Sequence, residues 1–171
     1  MPNFVHLSRP HYYSGKLLTD QDLNQEQTYF IEKFKRHNRS LHGFGVVFGL
    51  KVSTDAGKVK VSAGMGLDCE GNEIIIPTDQ TLPPPSFDSK VAFVTVKYSE
   101  DCEGAKPPGK PSSIVQSFQL ILTRENQNGG HRHLKARWLS CGKDHGLTLA
   151  KIRQGKAGWR VDRRYRTPKI K

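Results

Sequence analysis

The chain has 171 residues, of which 35% are apolar, and a formal net charge of +11 at pH 7. This length and apolar fraction predict one domain with a hydrophobic core, and no apolar run approaches the roughly 18 residues of a membrane-spanning helix, so we expect no membrane insertion. The N-terminal sequence lacks the apolar core of a signal peptide, and three widely spaced cysteines do not fit a disulfide framework. We therefore expect synthesis in the cytoplasm, with reduced thiols.

A capped helix is predicted over about residues 20–42. Thr19 or Asp20 is a suitable N-cap, and acidic residues in the first turn complement the positive end of the helix dipole. Gly43 and Gly45 are typical of a helix end. Spacings that alternate between four and three residues indicate a heptad seam, which either packs on the chain's own sheet or forms a subunit interface. The predicted interface residues are Leu23, Gln27, Phe30, Phe34, His37 and Leu41.

After the helix the hydrophobic period changes to two, which predicts strands. We expect the first strand to alternate Val46, Phe48, Leu50 and Val52 on one face. A loop is predicted at 100–113, where Pro, Gly and charged residues are frequent. The fold class is therefore α+β, with one long N-terminal helix followed by a mainly antiparallel β-body at about 46–162. The other predicted strands are 58–62, two around a turn at 70–72, 91–98, 114–124, 134–139, 147–153 and 158–162.

The helix-to-strand block carries short motifs in a fixed order, LLTDQDL at 17–23, EQTY at 26–29 and HNRSLHGFGVVFGL at 37–50. This block resembles accessory proteins of phage tails and contractile injection systems, of the baseplate or tail-fibre-base kind. The resemblance implies a structural, non-catalytic subunit of a virion-like particle. It also implies docking to neighbouring particle subunits and a homo-oligomer, either a trimer or a hexamer.

The positive charge is concentrated near the C-terminus. Residues 1–130 contain 14 Lys/Arg and 14 Asp/Glu, whereas residues 131–171 contain 13 Lys/Arg and two acidic residues. This asymmetry predicts contact with an acidic partner. We divide the chain into one domain at 1–162 and a basic tail at 163–171. The predicted basic anchor comprises Arg160, Arg163, Arg164, Arg166, Lys169 and Lys171.

Nucleic-acid binding is an alternative function for the same basic region. Its cations would neutralise phosphates, and the interleaved Trp159 and Tyr165 would stack on bases. No helix-turn-helix, RNA-recognition or zinc-finger pattern accompanies these residues. Contact with protein, or a solvated tail, is the simpler interpretation.

One cluster of metal-ligating residue types follows at 131–145. His131, His133, Cys141 and His145 are suitable zinc ligands, but their spacing differs from that of common zinc fingers, and solvated His-rich loops are frequent. A structural zinc there would suit a second alternative function, a recognition module for a surface or a carbohydrate. We otherwise expect no cofactor and no enzymatic activity, because the nucleophile, metalloprotease and phosphate-loop motifs are missing from the sequence.

Overall fold

A computed structural model describes residues 7–55, 57–105, 111–128 and 146–170 of the chain. It confirms the α+β class, because one N-terminal helical segment is followed by antiparallel sheets. Helix α1 spans Asp20–His37 and continues as a π-helical turn at Asn38–His42. The strands are β1 Gly45–Gly49, β2 Val52–Asp55, β3 Lys58–Val61, β4 Gly64–Leu67, β5 Glu73–Ile76, β6 Gln80–Leu82, β7 Val91–Ala105, β8 Pro111–Thr123, β9 Leu147–Gly155 and β10 Gly158–Val161.

The helix begins where the cap chemistry predicts. Thr19 is the N-cap, and its hydroxyl accepts a hydrogen bond from the Asp22 N–H at 3.2 Å. The Asp22 carboxylate accepts the Thr19 N–H in return, also at 3.2 Å, which completes a capping box. At the other end the helix widens into the π-helical turn and stops at Gly43, whose φ of 77° favours glycine.

The prediction of one continuous strand at 46–52 is wrong. A register shift between Val46 and Phe48 forms a β-bulge, and Leu50 has a φ of 48°, so the chain leaves β1 and enters β2 in a different sheet. Consequently Val46 and Leu50 are buried, while Phe48 on the same predicted face is exposed.

The predicted loop at 100–113 is also wrong at both ends. Strands β7 and β8 form a long hairpin in which Glu100 pairs with Gln116 and Cys102 pairs with Ile114. The described side chains in this part of the hairpin are largely exposed, so the strands carry no alternating apolar pattern there. Backbone hydrogen bonds between the two strands extend the hairpin here without a buried apolar face. Strand β6 was not predicted, and the predicted strand at 134–139 lies outside the described residues.

Three sheets surround one hydrophobic core. Their strand orders are β1-β4-β5, β2-β3-β6 and β10-β9-β7-β8. The alternation that the sequence shows in β3 is confirmed, since every second residue there is buried. Strand β5 has the same burial pattern, although three consecutive isoleucines hide it in the sequence. The largest fully buried apolar side chains come from β3, β5, β7 and β9, and they are Val59, Val61, Ile74, Ile76, Val94, Val96, Leu147 and Ile152.

Adjacent isoleucines on β5 offer a direct test of this core. Ile74 is 0% exposed and Ile75 is 53% exposed. We expect Ile74→Ala to lower the free energy of unfolding by about 2–5 kcal/mol, because it leaves a cavity in the core. Ile75→Ala is the matched control and should cost less than about 1 kcal/mol. Urea unfolding of both variants measures the difference, and equal losses would contradict the placement of this strand.

Candidate assembly surface

Helix α1 leaves its apolar seam in solvent. None of its residues is buried, and all six predicted interface residues are exposed. The exposed fractions of Leu23, Phe30, Phe34 and Leu41 range from 43% to 67%. The seam therefore does not complete the core of its own β-body. An isolated helix of this length is only marginally stable in water, and an exposed apolar face is typical of an interaction site. We therefore expect a further surface to cover this face.

The segment before the helix, residues 7–19, folds back along α1, and we call it the arm. The Tyr12 hydroxyl donates to Glu26 at 3.1 Å, and Lys16 pairs with Asp22 at 2.6 Å. The hydrogen bond from Lys16 is the main reason that the pKa of Asp22 lies below its ordinary value. These contacts orient the arm, yet Leu17 is 84% exposed and Leu18 is 55% exposed.

The last turn of the helical segment docks on the turn between β4 and β5, and we call this contact the joint. Arg39 is buried, and its guanidinium donates to the Glu70 carbonyl. The Asn38 amide donates to the Gly71 carbonyl at 3.0 Å. Gly71 has a φ of 86°, and a Cβ there would collide with the Lys35 carbonyl. Only glycine permits this approach of helix and turn.

Asp68 organises the turn that receives the helix. Its carboxylate accepts the N–H groups of Glu70 and Asn72 at 2.9 Å each, and the Asn72 side-chain amide at 2.8 Å. Burial raises the pKa of Asp68 above its ordinary value, although these hydrogen bonds partly oppose the shift. The turn was predicted from the sequence, but the joint was not. Arg39 and Glu70 are 31 residues apart, and no local pattern indicates that they meet.

The basic C-terminal residues do not form a detached tail in this structure. The Val46 N–H donates to the Pro168 carbonyl at 2.8 Å, and the Ile170 N–H donates to the Val46 carbonyl at 3.0 Å. Thr167 donates its hydroxyl to the Leu149 carbonyl. Residues 168–170 therefore lie beside β1 at Val46. Five predicted anchor residues are exposed, and Lys171 lies outside the described residues; the five are Arg160, Arg163, Arg164, Arg166 and Lys169.

The two aromatic residues of this region are not free on the surface. Trp159 packs against the hydrophobic core and is only partly accessible. The Tyr165 ring meets Phe93 edge to face with centroids 6.1 Å apart, and its hydroxyl bonds to Asn126 at 3.0 Å. Burial raises the pKa of the Tyr165 hydroxyl. Neither ring is presented for stacking on a base.

The C-terminal segment and β1 enclose a cleft of about 510 Å³, which we call the basic cleft. Its apolar lining includes the buried Leu50 and Leu149 and the exposed Phe48. The charged lining residues are Lys51, Asp162, Arg163 and Lys169. Asp162 is already engaged, because its carboxylate accepts Arg153 Nε at 2.7 Å and the Arg164 N–H at 3.0 Å. The remaining rim is positively charged.

The candidate zinc ligands His131, His133, Cys141 and His145 all lie outside the described residues. Within the ranges that the structure describes, no three His, Cys, Asp or Glu side chains form a group suited to a metal. Across those same ranges, no helix combines the length and apolarity needed to cross a bilayer.

Known structures share this fold, although no family model and no curated protein sequence matches the chain. A chain of the type VI secretion system TssK-TssF-TssG baseplate subcomplex aligns at 12% identity and a TM-score of 0.57 over 95% of this chain. A chain of the type VI secretion baseplate complex aligns at 15% identity and 0.52 over 96%. The crystal structure of TssK aligns at 11% identity and 0.56 over 96%.

These similarities establish a shared fold. The aligned regions cover 62%, 60% and 42% of the three known chains, so this chain spans at most about two thirds of their length. The fold is thus shared with chains of type VI secretion baseplates.

Substitution of Gly71 tests the joint. We expect Gly71→Ala to lower the free energy of unfolding by about 2–4 kcal/mol, because a Cβ adds a collision with the Lys35 backbone to the strain of a positive φ. Gly158→Ala is the matched control, since Gly158 also has a positive φ but an added Cβ meets nothing within 4 Å. Chemical unfolding of both variants isolates the collision. Equal losses would contradict the docking of helix on turn.

The raised pKa of Asp68 predicts that the stability of the fold depends on pH. Its folded-state pKa is raised, so the folded protein binds this proton more tightly than the unfolded chain does. The resulting stabilisation is complete below the unfolded pKa and is lost as the pH rises through the folded pKa. Asp68→Asn should remove that contribution, so the difference in unfolding free energy between the wild type and the variant should change across this window. A difference that is constant with pH would contradict the raised pKa.

Proposed function

We propose that this chain is a structural, non-catalytic subunit of a contractile-injection or phage-tail-like particle. It acts by docking α1 and the arm against neighbouring subunits, while the β-body serves as a platform. The proposed assembly includes a homo-oligomer, a trimer or a hexamer, and places the protein in an assembled particle after synthesis in the cytoplasm.

One observation carries this proposal, namely that an entire 18-residue helix has no buried residue. Its exposed seam is apolar at four of six positions, while the β-body has its own complete core. A protein that keeps such a surface in solvent bears an aggregation cost unless a partner covers the surface. The fold similarity to chains of type VI secretion baseplates, where subunits assemble into a complex, supports the same role.

The first test is the effect of seam substitutions on solution mass. We expect the double variant Leu23→Ala/Phe30→Ala to shift an oligomer towards monomer, with at least about a hundredfold loss of association, because central apolar residues dominate interface energies. Alanine preserves helix propensity, so the secondary structure should remain. Light scattering over a range of concentrations measures the mass, and circular dichroism measures the helix content.

Ile114→Ala/Val115→Ala on β8 is the matched control, because these two apolar residues are also exposed but belong to the β7–β8 hairpin and not to the seam. It should leave the mass unchanged. A wild-type protein that is monomeric at all concentrations would contradict the homo-oligomer. An oligomer that both double variants leave intact would contradict the use of the seam.

Nucleic-acid binding is a second candidate, favoured by the five exposed basic residues near the C-terminus. Trp159 and Tyr165 are packed against the β-body, so they do not stack on bases in this arrangement. Binding would then rest on contacts between the basic side chains and phosphates. The informative variant is Arg163→Gln/Arg164→Gln/Arg166→Gln, because removal of residues 160–171 would also delete half of β10 and the residues that pair with Val46 of β1. DNA affinity that falls steeply with salt and disappears in this variant would favour this candidate. A lack of affinity in the wild type would exclude it.

A further inference from the structure

We infer that the basic cleft is the receptor for the arm of a second copy of this chain, so that copies join head to tail. This inference rests on the self-assembly in the proposed function and specifies its contact. Leu17 and Leu18 would enter the apolar cleft, while acidic residues beside them would face the basic rim.

The basic cleft is suited to an occupant that is both apolar and acidic. Phe48 is 62% exposed and Val47 is 43% exposed, although both line a cleft whose floor is buried. Lys51, Arg163 and Lys169 stand at this cleft, and the Asp162 carboxylate is held by Arg153. The apolar surface and the uncompensated positive charge therefore face the same space.

The cleft is also rigid before any partner arrives. The backbone of residues 168 and 170 is hydrogen-bonded to Val46, and Thr167 is bonded to Leu149. These bonds hold Lys169 beside the strand instead of leaving it on a detached tail. Arg163 follows Asp162, whose N–H donates to the Lys151 carbonyl on β9 at 2.8 Å. Binding to a preorganised site avoids much of the entropy cost of ordering side chains.

The arm presents the complementary chemistry. Leu17 and Leu18 are 84% and 55% exposed and lie in a non-helical segment. Asp20 follows them and is exposed at the first helical position. Lys16 is neutralised by its pair with Asp22. The charges that remain in residues 7–26 are those of Arg9, Asp20 and Glu26, which leave this region with one net negative charge. Opposite charge on the two surfaces favours their encounter.

The arm of the same chain is already engaged elsewhere, since Tyr12, Lys16 and Ser8 bond to its own helix. Helix α1 extends over about 27 Å at 1.5 Å per residue and meets the β-body at its C-terminal end, which leaves the arm at the far end. The arm and the cleft are two different surfaces on one chain. Such a pairing is heterologous, and it closes into a ring or continues as a filament.

Complementation between two defective variants tests this inference. The arm variant is Leu17→Ser/Leu18→Ser, and the cleft variant is Arg163→Glu/Lys169→Glu. All four residues are exposed, so circular dichroism and thermal unfolding should match the wild type. Sedimentation over a range of concentrations should show that each variant alone associates at least about tenfold more weakly than the wild type.

An equimolar mixture of the two variants is the decisive sample. The cleft variant retains an intact arm, and the arm variant retains an intact cleft, so one productive contact is possible between them. We expect a 1:1 complex that neither variant forms alone and that weakens with added salt. The matched control for charge is Lys58→Glu/Lys156→Glu, which reverses two exposed lysines outside the cleft and should assemble as the wild type does.

Three outcomes would overturn the inference. A wild-type protein that stays monomeric would remove both this contact and the proposed homo-oligomer. An oligomer that the arm and cleft variants leave intact would overturn this contact while the seam-based assembly stands. A mixture that associates no more strongly than its separate components would show that the two surfaces do not bind each other, and the cleft would then serve a different acidic partner.

Discussion

The joint between α1 and the β4–β5 turn fixes where the helix, the seam and the arm lie relative to the β-body. Arg39, Asn38 and Gly71 hold the end of a helix that buries none of its own side chains. If the helix end were not held there, the arm and the seam would have no defined position relative to the β-body. A backbone contact that only glycine permits thus determines where the exposed surfaces point.

The residues that stabilise the fold and the residues proposed for assembly lie in different parts of the chain. Among the described residues, the buried apolar core is formed by the β-body, and none of it belongs to the N-terminal helix. The helix and the arm keep their apolar residues in solvent, where they can serve an interface. Polar contacts such as Lys16–Asp22 lie near the surface, only partly buried, and contribute little to stability, but they orient the arm.

The C-terminal region shows how backbone pairing changes the role of charge. Its basic side chains would form a diffuse electrostatic tail if the segment were free. Hydrogen bonds to Val46 instead place Lys169 at the cleft, which Arg163 also lines, so these charges belong to a defined surface next to apolar side chains. The position of these bonds was not predictable, because Val46 and Pro168 are separated by most of the chain.

Elements with local signals could be predicted from the sequence. The cap residues Thr19 and Asp20 indicated the start of the helix, Gly43 its end, and period-two alternation the position of β3, since these depend on neighbouring residues alone. Features that depend on distant partners could not be predicted in this way. The bulge and the left-handed Leu50 divided the first predicted strand, and cross-strand pairing extended β7 and β8 through polar sequence. The seam was visible in the sequence, but its exposure was not, because burial depends on where the joint directs the helix.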